Sequence, residues 1–174
     1  MPRIKWFDRK FDFNFPADLY PELIERLRGT PARVEDLVKS LPASILTKRD
    51  GQHWSIQENI GHLLDLEELF SARLDDFDHK RTKLTAADLS NEKTHNAQHN
   101  RQPTEEILAE FRRARHALVE RLDNADPLFF SRISHHPRLD KPMRVVDLLY
   151  FQAEHDDYHL ARISELIPYF EASA

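Results

Sequence analysis

A chain of 174 residues, 40% apolar and 32% charged, is long enough to bury one sizeable core and too apolar for a disordered polymer. Its formal net charge of -5, with both signs interspersed, lacks the basic stripe of a nucleic-acid binder. With no cysteine, disulfide frameworks, thiolate metal sites and a Cys nucleophile are excluded.

Residues 1–15 carry Trp6, Phe7, Phe11, Phe13 and Phe15 and read as an N-terminal arm lying on the body. Residues 11–15 alternate apolar and polar, the pattern of a short extended piece. Pro16 opens a helical stretch with Leu19, Leu23, Ile24 and Leu27 on its apolar face. Gly29-Thr30-Pro31 then reads as a break, with Thr30 as N-cap and Pro31 at the first position of a second helix faced by Val34, Leu37, Val38 and Leu41. After a loop at Pro42 to Gly51, Ser55 and Glu58 form a capping box. The helix it starts carries Ile56, Ile60, Leu63, Phe70 and Leu74 and is expected to reach about Asp75.

Residues 78–103 are polar and read as a long connection. Thr104 caps the next helix, with Glu105 and Glu106 in its first turn and Ile107, Leu108, Phe111, Leu118 and Leu122 on its face. Residues 134–142, with two prolines, read as a loop. The last helix spans about Arg144 to Ile167 and is expected to stop at Pro168. Only 3 glycines serve the whole chain, which disfavours a sheet-rich fold. Amphipathic helices with long connections make an all-α four-helix bundle the expected architecture, a single domain over 1–174.

No apolar stretch approaches the roughly 20 residues that span a bilayer. Residues 1–6 have no signal-peptide apolar region. The expected location is therefore cytoplasmic, with no membrane and no nucleic acid as partner.

Ten histidines are many for this length. A His-x-x-x-His pair puts two imidazoles on one helix face, a turn apart, which suits one metal ion. Two such pairs occur. His95 and His99 lie in a polar run and read as exposed loop residues. His155 and His159 fall near the apolar face of the last helix, with Gln152 and Asp156 beside them. Polar groups on a buried face need partners. A metal ion would supply one, and so would a hydrogen-bonded core network. His62, in the middle of the helix after Ser55, is the candidate third ligand. It lies at the edge of the apolar stripe, and Gly61 beside it leaves room for a ligand or a close helix approach. His53, His79 and His116 point to the surface, and His135 and His136 lie in a loop with exposure expected.

The segment Trp54-Ser55-Ile56-Gln57-Glu58-Asn59-Ile60-Gly61-His62-Leu63-Leu64-Asp65-Leu66-Glu67 resembles the second-helix signature of the DinB/YfiT-like superfamily. The segment from Asp147 to His159, ending Glu154-His155-Asp156-Asp157-Tyr158-His159, resembles its last-helix signature. The resemblance covers about Pro16 to Ile167. It implies a four-helix bundle, often a homodimer, with a divalent metal held by His62, His155 and His159.

Three neutral imidazoles leave open positions on a divalent ion and keep it a strong Lewis acid. Zn or Ni suits such a set best, with Fe, Mn or Cu within reach. Three functions follow. The first is hydrolysis of a small-molecule substrate by activated water. The second is transfer using a low-molecular-weight thiol cosubstrate. The third is a non-catalytic stress or binding bundle with a structural metal, closed by a fourth ligand such as His99 or His135. Asp156 is the candidate catalytic base, or else a hydrogen-bond acceptor. Asp65 is either a hydrogen-bond partner of the ligands or a solvated charge, Glu58 is read as a cap, and Trp54 as a core anchor.

Overall fold

The computed structural model describes residues 3–172, so Met1 and Pro2 of the arm lie outside the described residues. The chain runs through α1 (Tyr20–Val38), α2 (Ala43–Leu46), α3 (Ile56–Asp78), α4 (Glu92–Ala97), α5 (Thr104–Asp123), β1 (Ile133–His136), β2 (Lys141–Arg144) and α6 (Val145–Glu171).

The four long helices form the bundle. Both α1 and α3 pack on α5 and on α6, so α1 stands diagonally opposite α3, and α5 opposite α6. Two apolar clusters fill the interior. One gathers Leu27, Phe70, Leu118 and Ala153; the other gathers Val34, Leu63, Phe111 and Leu160. On each of the four long helices buried polar residues separate the two: Thr30 on α1, Glu67 on α3, Arg115 on α5, and Asp156 with His155 and His159 on α6. This ordering also sets direction. Along α1 and α6 the chain passes from the first cluster to the second, and along α3 and α5 it passes back. The neighbours α3 and α5 are therefore parallel, which is why a connection as long as 79–103 is needed to join them.

Besides the short helices α2 and α4 inside the expected connections, three elements differ from expectation. The break at Gly29-Thr30-Pro31 is absent, and α1 is one continuous helix with Pro31 inside it. Pro31 has no N–H for the carbonyl of Leu27. Arg115 Nη1 donates to that carbonyl at 3.0 Å, so the gap in the helix ladder is filled from α5. The last helix continues past Pro168 to Glu171. Its final turn is held because Phe170 is buried in the second cluster. Residues 133–144 form an antiparallel hairpin where a loop was expected, with Ile133 opposite Arg144 and His136 opposite Lys141. The hairpin in turn anchors the long connection, since His135 N–H donates to Thr82 O and Leu84 N–H to His135 O.

The aromatic arm makes no strand. Donors from β2 pin it instead: Lys141 Nζ to Phe11 O, and Arg144 Nη2 to the carbonyls of Phe13 and Phe15. Trp6 is thereby held against α6, its ring 5.0 Å from Phe151 and 4.8 Å from His155.

Candidate metal centre

The capping box at the start of α3 forms as expected, with Ser55 Oγ accepting from Glu58 N–H and Glu58 accepting from Ser55 N–H. It fixes the first turns of α3, and with them Asn59 and His62. On α6, His155 and His159 stand one turn apart on the face turned to α3. His62, His155 and His159 are all buried, and each offers one ring nitrogen within 4.8 Å of the others.

Neighbouring side chains fix which nitrogen is offered. His159 Nδ1 donates to Asn59 Oδ1 at 2.8 Å, and Asn59 is itself held by donating to the Ser55 carbonyl. His62 Nδ1 lies 3.0 Å from Thr94 Oγ1, and Thr94 spends its hydroxyl proton on Asp65 at 2.8 Å. His62 therefore donates to Thr94. Both rings turn Nε2 inward. Nδ1 of His155 is buried without a hydrogen-bond partner among the described residues. Buried orphan nitrogens are costly, so this donor set fits a bound cation that would take up the imidazole lone pairs.

The rings are also neutral, as a metal requires. Burial depresses the His62 pKa to about 4 despite the opposing charge of Asp65. Burial pushes His155 and His159 well below the ordinary histidine range, and repulsion among the three adds to it.

His99 was expected at the surface with His95. His95 is exposed, but His99 is buried against α3 with Nε2 2.9 Å from Asp65. Gly61 makes this approach feasible, because a Cβ there would stand 2.3 Å from the His99 ring. The room beside His62 is thus used by a histidine from the long connection. Gln57 secures that segment by donating to the carbonyls of His99 and Gln102. Asp65 accepts from both His99 and Thr94 and is no solvated charge.

The DinB superfamily model matches residues 26–163, which includes all three histidines. The chain belongs to the DinB superfamily. No curated protein matches it. Among solved structures it is similar to YfiT from Bacillus subtilis, a probable metal-dependent hydrolase with an unusual four-helix bundle topology. That similarity covers 94% of each chain at 19% identity, with a TM-score of 0.81.

In this DinB bundle Asp156 does not face the histidine cluster. Its carboxylate is buried between α5 and α1, accepting from Arg115 Nη1 at 2.6 Å and from Thr30 Oγ1 at 2.8 Å. Arg115 also binds Glu67 at 2.6 Å. Burial works against the guanidinium charge, but Asp156 and Glu67 outweigh it and raise the Arg115 pKa. Burial in turn pushes the Glu67 carboxyl up, against the pull of Arg115.

The three histidines open on a cavity of about 800 Å³, bounded by α3, α6, the arm, the hairpin turn and residues 87–91. Trp54 lines it with its ring 4.6 Å from His62, so it belongs to the site wall more than to the core. His136, Arg138 and Arg73 line it too. His136, expected exposed, is buried, because strand alternation turns Ser134 and His136 inward. Neither Arg73 nor Arg138 is marked by any sequence motif.

Proposed function

We propose that this chain is a metal-dependent hydrolase of a small molecule, with His62, His155 and His159 as the metal ligands. One observation carries the reading. Three neutral, buried imidazoles converge within 4.8 Å at a cavity of about 800 Å³, and no further His, Asp or Glu joins them among the described residues. A structural site is normally closed by a fourth protein ligand. The two candidates for that role are engaged elsewhere, His99 with Asp65 and His135 with Asp140.

A divalent ion held by three neutral imidazoles supplies a Lewis acid that polarises a carbonyl or phosphoryl oxygen and makes water more acidic. The remaining work belongs to the chain. Asn59 holds His159 in one tautomer, and Thr94 with Asp65 does so for His62. Trp54 and Trp6 wall the cavity and exclude water from two sides. Asp156 is a positioning residue, acting through Arg115 to fix the middle of α6 where His155 and His159 sit.

Metal analysis of the untagged protein tests the reading. About one transition-metal ion per chain is expected in the wild type, and loss of it in folded His155→Ala and His159→Ala. Loaded protein is then assayed on ester, amide and phosphoester panels. Turnover that demands an added low-molecular-weight thiol would replace hydrolysis by thiol transfer. No ion after reconstitution with Zn, Ni, Mn or Fe would overturn the metal site altogether.

A further inference from the structure

The same cavity holds a second cluster of unusual character, made by Arg73 of α3, His136 of β1 and Arg138 of the hairpin turn. His136 is 1% exposed, and its Nδ1 accepts from Leu139 N–H at 3.2 Å. The ring proton therefore sits on Nε2, and that donor has no acceptor among the described residues. Arg138 Nη2 is likewise buried without an acceptor. The Arg138 guanidinium lies over Phe151 at 5.4 Å, Phe7 at 5.4 Å and Trp6 at 5.9 Å. Rings attract a guanidinium through their faces but do not satisfy its N–H groups. Arg73 is 2% exposed and spends Nε on the Thr85 carbonyl. Neither arginine forms an ion pair with a carboxylate among the described residues.

The acids near by are already committed. Asp50 pairs with Arg162, Glu165 with Arg3 and Arg162, and Asp76 with Arg81 and Thr85. The half-buried Arg138 repels Arg73 and adds to the burial that lowers Arg73 to about 10, against the opposing pull of Asp76. A chain that places two guanidinium groups and an imidazole N–H in one cavity, with only Asp76, itself shared with Arg81 and Thr85, as a partial counter-charge to Arg73, bears a large desolvation cost. A bound anion offsets it, through bidentate charge-assisted hydrogen bonds of the kind arginine makes to carboxylate and phosphate.

We propose that Arg138, His136 and Arg73 form a receptor for an anionic oxygen group, a carboxylate or a phosphate ester, on the molecule whose reacting part lies at the three histidines. The aromatic wall of Trp6, Phe7 and Phe151 suits an apolar body attached to that group. The substrate is thus a small amphiphilic anion. Its role as substrate rests on the hydrolase reading; the anion site itself does not.

The test is calorimetric titration of the full-length protein with phenyl phosphate and, separately, benzoate, in EDTA and chloride-free buffer. Saturable binding of one anion per chain is expected, displaced by inorganic phosphate, and the tighter of the two probes identifies the group. Arg138→Gln is expected to weaken binding about ten- to a hundredfold, as loss of one charge-assisted pair does. Arg138 is partly exposed, so the variant is expected to keep its melting temperature. If it does not fold, Arg138→Lys, which keeps the charge and loses the fork, is expected to weaken binding in the same direction. Perturbation of the Arg138 and His136 side-chain N–H resonances in labelled wild type gives a readout that needs no variant. Equal affinity of wild type and variant, or no binding of either probe, would overturn the proposal. Anion binding by a protein that takes up no metal would sink the hydrolase reading and leave the anion site standing. Metal uptake without anion binding would do the reverse.

Discussion

Gly61 shows how one missing side chain sets the surroundings of the metal centre. A Cβ there would fall 2.3 Å from the His99 ring, far inside any real contact distance. Gly61→Ala must therefore displace His99, and with it the acceptor arrangement at Asp65 that also holds Thr94 and His62. Overpacking of this kind costs about 1–3 kcal/mol. Urea denaturation is expected to show that loss in the single variant and a much smaller one in a His99→Ala background, since the clash is then gone. Equal losses in both backgrounds would mean that Gly61 is needed for the backbone alone. Thr94→Val tests the same chain of contacts from its other end. Metal affinity is expected to fall about ten- to a hundredfold, read by competition with a chromophoric chelator, because His62 loses the acceptor that fixes its ring. The residue type at position 61 was legible as a close approach, but its occupant was not. His99 sits in a run with little hydrophobic periodicity, and only tertiary contacts bury it.

Among the elements, the helices were readable wherever periodicity and caps agreed, as at the Ser55–Glu58 box before α3. They were misread wherever a proline was taken as decisive. The cost of Pro31 is a free carbonyl at Leu27, and Arg115 removes that cost from another helix, a remedy invisible to local reading. The hairpin escaped notice for a related reason. Four-residue strands, with Pro137 directly after the first and Pro142 inside the second, carry too little alternation to outvote turn residues. The bond between α5 and α1 leads to a specific expectation. Arg115→Met leaves Glu67 and Asp156 as two buried carboxylates and the Leu27 carbonyl without a donor, at a cost of about 3–5 kcal/mol. Adding Pro31→Ala restores an N–H for Leu27 and is expected to return about 1 kcal/mol in the Arg115→Met background, measured by chemical denaturation. In the wild type the same Pro31→Ala change has no orphaned carbonyl to rescue. A rescue of the same size in both backgrounds would mean that Arg115 does not serve Leu27.

At the scale of the whole molecule, the bundle carries a buried polar layer between two apolar clusters, and the three ligand histidines sit beside that layer in neutral form. This couples stability to pH with a definite sign. His62 is depressed to about 4 and His136 to about 3, each chiefly by burial, while His155 and His159 lie well below the ordinary range. In the unfolded chain all four titrate near 6.5. Between about pH 6.5 and 4 the unfolded state therefore binds more protons than the folded one, and stability rises with pH across that window. The metal-free protein is expected to be most stable above about pH 6.5 and to lose stability progressively as the pH falls towards 4. Ion-paired carboxylates act lower on the scale. Asp157, half-buried yet held low by Arg26 and Arg33, begins to lose its contribution only below about pH 4. The two causes are thus separable by pH. Urea midpoints recorded in EDTA at about pH 7.5, 6.5, 5.5 and 4.5 check the sign, and His136→Gln is expected to flatten part of the slope. Bound metal adds stability at neutral pH that vanishes over the same window, because protons compete for the same imidazoles. A midpoint that does not move between about pH 6.5 and 4.5 would mean that these histidines are not buried in neutral form, and the preformed ligand set would go with it.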